Sequence, residues 1–174
     1  MGTTAGLSCA DQEQIAAAVF SFARRRLVVT YGAMLEELYQ EIILDHYRRP
    51  RNKGKAVPSD IQARENNPLC GDDIEVTASV RDGKITDIKF DGKACAICTA
   101  SASIMTQKLK DKALEQARAM ADDFQKMMRG DIPFGGKEMG DLKALEGVLK
   151  FPVRVKCGTL PWHTLQKAMD TKKP

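Results

Sequence analysis

The sequence predicts an α+β fold: a small antiparallel β-sheet covered on one face by helices. Three observations carry this expectation. Residues 74–80 and 85–90 each alternate apolar and polar side chains with period two, and Asp82-Gly83 lies between them as a hairpin turn. One helical pattern precedes this pair and several follow it. Strands are never interleaved with helices in the manner of parallel-sheet proteins, so helices gather on one side of an antiparallel sheet.

In chain order, residues 1–33 read as an N-terminal extension that carries no chemistry, with Cys9 an unpaired bystander; a targeting segment and an upstream start both fit them. From Met34, Leu35, Leu38, Tyr39, Ile42, Ile43, His46 and Tyr47 recur at helical spacing until Pro50 ends the run. His46 falls on the apolar side. Residues 48–66 contain two prolines, a glycine and many polar residues and are expected as loop. After the hairpin, residues 95–109 are rich in Ala, Ser and Thr, which suggests a helix packed closely against the sheet. Helical pieces are expected over 112–119 and 122–130, a Gly- and Pro-containing loop over 132–140, a short helix over 141–149 and a last helix over 154–169.

The 174 residues suffice for one domain with a real core, which is placed at 34–174. Hydrophobic and charged contents of 43% and 29% are those of a globular protein, and the net charge is only +4. The basic residues are dispersed and aromatics make up 6%, which argues against a nucleic-acid partner. The apolar stretch over 15–31 is broken by Arg24, Arg25 and Arg26 and does not span a membrane. Five cysteines at these spacings do not form a secreted disulfide framework, so a reducing, cytoplasmic setting is expected.

The candidate site is Cys70 and Asp72 in Asn67-Pro68-Leu69-Cys70-Gly71-Asp72, Cys95 behind Asp91-Gly92-Lys93-Ala94, and Cys157 behind Lys156. Thiolates are soft ligands that select zinc, Cu(I) or iron–sulfur clusters, and a carboxylate completes a tetrahedral set. Cys70 follows a proline turn, Cys95 opens a helix, and Cys157 is expected at the start of the last one, where the helix dipole favours the thiolate. Each residue also has a plainer reading: a buried structural cysteine, or an aspartate that caps a turn. Cys95 and Cys98 stand three apart on one helix face, but the βαβ context of a dithiol redox pair is missing. Cys98 reads as a spare ligand, a resolving thiol or a small buried residue. Lys156 could lower the Cys157 thiol pKa, bind an anion or simply face solvent. His46 and His163 are not expected to bind metal.

These motifs resemble the U-type iron–sulfur assembly proteins, and within them the SufU branch. The resemblance covers residues 34 to about 169. It rests on Leu38-Tyr39 through Asp45-His46 with Pro50 and Gly54, on the Cys70–Asp72 motif, on Ala100-Ser101-Ala102-Ser103-Ile104-Met105 after Cys95, and on Phe151-Pro152 leading to Lys156-Cys157. Lys156 stands where the IscU branch carries histidine, and residues 123–145 resemble the helical insertion typical of SufU. The resemblance implies zinc held by Cys70, Asp72, Cys95 and Cys157. It also implies Cys70 as acceptor of a persulfide sulfur from a SufS-like cysteine desulfurase, and delivery to a downstream SUF scaffold or to apo iron–sulfur proteins. The alternative implied role is a scaffold that builds a 2Fe–2S cluster, with iron, on the same residues. Two positions depart from the family: Ala94 replaces a usual glycine, and Cys98 a usual serine.

Overall fold

The computed structural model describes residues 37–135 and 139–171. The expected boundary at 33/34, the helix start at Met34 and Cys9 lie outside these residues. From Tyr39 onward the chain forms one compact unit.

Helix α1 runs over 37–48 and stops just before Pro50, as expected. A three-stranded antiparallel sheet follows, with β1 (Ile61–Asn67), β2 (Asp72–Arg81) and β3 (Lys84–Lys93) in the order β1-β2-β3. The β2–β3 turn uses Asp82 and Gly83, both at positive φ (50° and 72°). Two left-handed residues match the strand twist, which is why Asp-Gly marks this turn in sequence. The chain then forms α2 (Ala96–Leu109), α3 (Leu114–Arg129), a 3-10 segment (Gly140–Lys150) and α4 (Pro152–Thr171).

Register decides which side chains point inward. Ala78 pairs with Ile61 and Ile88, Val76 with Ala63 and Phe90, and Ile74 with Glu65 and Gly92. Paired residues share a sheet face, so Ile61, Ile74, Val76, Ala78, Ile88 and Phe90, all buried, form one apolar face. The last β1–β2 pair, Asn67 and Asp72, continues this face to its end, and both residues are buried. Helices α2 and α4 pack here, α4 across β1 and β2, and α2 against β3. On the opposite face the loop after α1 covers Thr77, whose hydroxyl accepts the Ala56 N–H at 2.8 Å, while Lys55 pairs with Glu75 at 2.8 Å.

Four expectations need correction. Residues 61–67 are a strand, not loop: β1 places Ala63, Glu65 and Asn67 at inward positions, so its period-two pattern has no apolar signature. Glu65 meets Lys167 on α4, and pairing with β2 holds the strand in place. The two pieces over 112–130 are one continuous helix, α3, which Gly130 ends at φ 80°. The segment over 140–150 is 3-10, not α-helical. Finally, α4 begins at Pro152, so Cys157 stands in its second turn and not at its start. Proline fits the first helical position because its missing N–H is not needed there.

Helix α2 is buried on all sides from Cys98 to Thr106, so it shows no amphipathic stripe. Its hydroxyls are satisfied internally. Ser101 Oγ donates to Gly158 O at 2.6 Å and accepts Trp162 Nε1–H at 3.1 Å. The small side chains allow α4 to come close, and Trp162 stacks on Phe124 of α3 at 4.5 Å. Ser103 Oγ meets His46 Nδ1 at 2.8 Å, and the other ring nitrogen of His46 reaches Asp141 at 3.2 Å. His46 thus joins α1, α2 and the 3-10 segment.

Gly92 holds φ +126°, and a Cβ there would lie 2.1 Å from the Asp73 carbonyl oxygen. No neighbour can yield, because the clash is with backbone. Ala94, the family departure two residues on, does not adopt positive φ and carries no such strain. Gly92→Ala is therefore expected to lower unfolding free energy by about 3 kcal/mol or more. Ala94→Gly should change it by less than about 1 kcal/mol. Urea unfolding followed by circular dichroism measures both.

Candidate metal and sulfur site

The site forms at one end of the inward sheet face, where three distant segments meet. Residues 68–71 turn the chain from β1 into β2; Asn67 O accepts N–H groups from Gly71 at 2.9 Å and Cys70 at 3.3 Å. This turn carries Cys70, half-buried between exposed Leu69 and Gly71. Asp72 opens β2 and is 1% exposed. Cys95 is the N-cap residue of α2, and Cys157 is fully buried on α4.

Asp72 is the hub. Its Oδ2 accepts the Cys70 thiol at 2.8 Å and lies 3.5 Å from Cys95 Sγ, while its Oδ1 accepts the Cys95 backbone N–H at 2.6 Å. Cys157 Sγ lies 3.3 Å from Cys70 Sγ. Cys70, Asp72 and Cys157 offer donor atoms within 4.8 Å of one another and could hold a metal ion; Cys95 joins the group through Asp72. Every residue of the expected set is brought here. The plainer reading of Asp72, as the cap of its own turn, is replaced by a long-range contact: one oxygen accepts the Cys95 N–H at the entry to α2 while the other faces the thiols.

Burial pushes the Asp72 carboxyl up, but hydrogen bonds from the Cys70 thiol, the Cys95 N–H and the Cys157 and Cys95 thiols outweigh it and leave it below the usual range. Burial pushes the Cys157 thiol up, reinforced by its hydrogen bond with Cys70. Lys156 is exposed and is not among the groups that shift this thiol, so of its three readings the lowering of the Cys157 thiol finds no support. Burial and the neighbouring groups therefore favour the protonated thiol at Cys157. The two thiols and one carboxylate that lie within mutual reach are donors of the kind that zinc and iron–sulfur sites use.

Cys98 stands apart from the donor group. It is fully buried among core residues, and burial, followed by the Asp72 charge, pushes its thiol far up. Of its three readings, the small buried residue fits. His46 has both ring nitrogens engaged, and His163 is exposed beside Gln125. One residue was missed in sequence. Asn67 is 6% exposed and its Oδ1 accepts the Leu69 N–H at 3.2 Å, while its Nδ2 is buried with no hydrogen-bond partner among the described residues. Its place before Pro68, at the start of the cysteine turn, was the available signal.

Comparison with known proteins agrees with the motifs. The family model described as the NifU-like N terminal domain matches residues 38–158. The zinc-dependent sulfurtransferase SufU of Bacillus subtilis is 43% identical over 141 residues, 81% of this chain and 95% of that protein. The iron–sulfur cluster assembly scaffold protein IscU of Streptococcus pyogenes is 42% identical over 136 residues, 78% of this chain and 84% of that protein. The crystal structure of a nitrogen-fixing NifU-like protein (N-terminal) from Brucella abortus superposes with TM-score 0.71 at 25% identity, over 80% of this chain and 99% of that one. The fold, the converging donors and these relatives agree: the chain belongs to the NifU-like N-terminal domain family, alongside SufU and IscU.

Proposed function

We propose that this protein serves iron–sulfur cluster assembly by accepting sulfur, as a persulfide on Cys70, from a cysteine desulfurase of the SufS type, and passing it toward a SUF scaffold or apo iron–sulfur proteins. The observation that carries the reading is the convergence of Cys70, Asp72 and Cys157, with Cys95 beside them, from segments 25 and 62 positions apart in sequence. The 43% identical relative named a zinc-dependent sulfurtransferase supports it. Zinc at Cys70, Asp72, Cys95 and Cys157 would supply positive charge that keeps the thiols ionised, without redox activity of its own.

The chain's own residues account for the rest. Asp72 sets the position of Cys70 Sγ and, through the Cys95 N–H, that of the α2 N-terminus. Cys70, on a turn beside exposed Leu69, is the thiol best placed for a partner to reach. Its thiolate attacks the outer sulfur of the partner's cysteine persulfide. The new S–S bond forms on Cys70 as the partner's S–S bond breaks, and the partner cysteine leaves as a thiolate that takes up the outer sulfur's proton. No net oxidation or reduction occurs. Cys157, buried behind Cys70, is shielded from this exchange.

The second reading, a scaffold that carries a 2Fe–2S cluster as cargo on the same donors, is favoured by the 42% identical relative of that name. Lys156, in place of the histidine usual in the IscU branch, tilts the balance to sulfur transfer. Anaerobic purification with metal analysis and an absorption spectrum separates the two. Zinc without visible bands is expected; iron with visible bands would favour the scaffold.

Three further outcomes are expected. Chelation should lower the melting temperature by several degrees and added zinc should restore it, because the ligands come together only in the folded chain. Zinc binding should release protons near neutral pH, since burial favours the protonated thiol at Cys157 and a thiol must ionise to bind metal. Affinity should therefore fall steeply as pH falls, which calorimetry in buffers of different ionisation enthalpy would measure. Cys70→Ser should abolish stimulation of the desulfurase and the gain of one sulfur atom's mass. Cys98→Ser should retain both, at a stability loss of about 1 kcal/mol for the buried hydroxyl.

A further inference from the structure

Asn67 presents a buried donor that the sulfur-free protein leaves unused. Its Nδ2 has no partner among the described residues, although buried N–H groups are nearly always paired. The amide cannot be turned round to remove the problem. The Leu69 N–H at 3.2 Å requires an acceptor, so that position belongs to Oδ1 and the free end of the amide is Nδ2. Asn67 is the direct partner of Asp72 in the β1–β2 ladder, and paired residues project from the same face with Cβ atoms about 5 Å apart. Its main-chain carbonyl also holds the N–H groups of Cys70 and Gly71. The unpaired donor thus belongs to the ladder partner of the aspartate that Cys70 touches, on the residue whose carbonyl shapes the Cys70 turn.

We infer that Asn67 is a sulfur-binding residue, whose Nδ2–H donates a hydrogen bond to the outer sulfur of the Cys70 persulfide. This rests on the reading of Cys70 as the sulfur acceptor. Among the described residues Nδ2 has no hydrogen-bond partner while Cys70 is a plain thiol. Transfer adds one sulfur about 2 Å beyond Sγ, anionic once its proton has passed to the departing partner thiolate. That atom is a new acceptor, present only in the loaded state. A donor that is idle before loading and engaged afterwards favours the loaded state without holding the empty thiol back.

The test compares the zinc-loaded full chain with Asn67→Ser and Asn67→Asp. Both variants keep an oxygen for the Leu69 N–H, as serine and aspartate do in such turns, and both remove the amide donor. Zinc per chain and melting temperature report on the turn. Intact-mass spectrometry after incubation with a cysteine desulfurase and cysteine, and then during exposure to dithiothreitol, reports yield and lifetime of the Cys70 persulfide. The expected result is unchanged zinc content and melting temperature, with a persulfide lifetime about tenfold shorter in both variants, the size of effect that loss of one charged hydrogen bond brings. A lifetime equal to the wild type in either zinc-retaining variant overturns the inference. Zinc loss in both variants assigns Asn67 to the turn alone and also overturns it. A wild-type protein that takes no sulfur on Cys70 overturns the acceptor reading itself, and the wild-type arm alone reveals that case.

Discussion

Asp72 opens β2 almost without solvent contact, and its two oxygens hold different parts of the chain. One accepts the backbone N–H of Cys95 at the entry to α2, and the other accepts the Cys70 thiol from the preceding turn. A buried carboxylate is unfavourable unless it is hydrogen-bonded throughout. That requirement brings the β1–β2 turn and the α2 N-terminus together before any metal is considered. The scaffold and the site therefore share one interaction, and the donor geometry is built into the fold.

The fourth donor depends on a different device. Cys157 reaches the site because α4 approaches α2 closely, and it does so because residues 98–103 of α2 are all Ala, Ser, Thr or Cys. Hydroxyls inside a core are normally a liability, but here Ser101 bridges α2 to the Gly158 carbonyl and to Trp162. The same bond that satisfies Ser101 fixes the backbone beside Cys157. Gly158 helps, since its missing side chain leaves room for Met128 and Ile97.

Exposure divides the work among the thiols. Cys98 is sealed in the core and Cys157 is buried, whereas Cys70 and Cys95 are half-buried. A site meant only to hold a structural metal would gain from closing over it. This one leaves Cys70 on a turn next to an exposed leucine, which suits a thiol that must meet another protein's cysteine. Among the described residues no helix is long and apolar enough to cross a membrane.

The β2–β3 hairpin, α1 near Pro50, α2 after Cys95 and the cysteines and aspartate that converge were legible in the sequence because each rests on local chemistry: period-two alternation, an Asp-Gly turn, a proline stop, a set of soft side chains. The motifs were sufficient to place the family. What they could not disclose was set by contacts between distant segments. Strand β1 is specified by its pairing with β2 and by Lys167 on Glu65, so its polar inward residues look like loop. Lys156 precedes Cys157 in sequence, yet burial and Cys70, not that lysine, control the thiol. Cys98 matches Cys95 in a local motif, but the packing of α2 turns it into the core. Asn67 is unremarkable as a residue before proline; only the ladder that sets it opposite Asp72 gives its amide a role. Local chemistry chose the residues, and long-range packing decided which of them face one another, because burial and hydrogen-bond satisfaction are properties of the assembled chain.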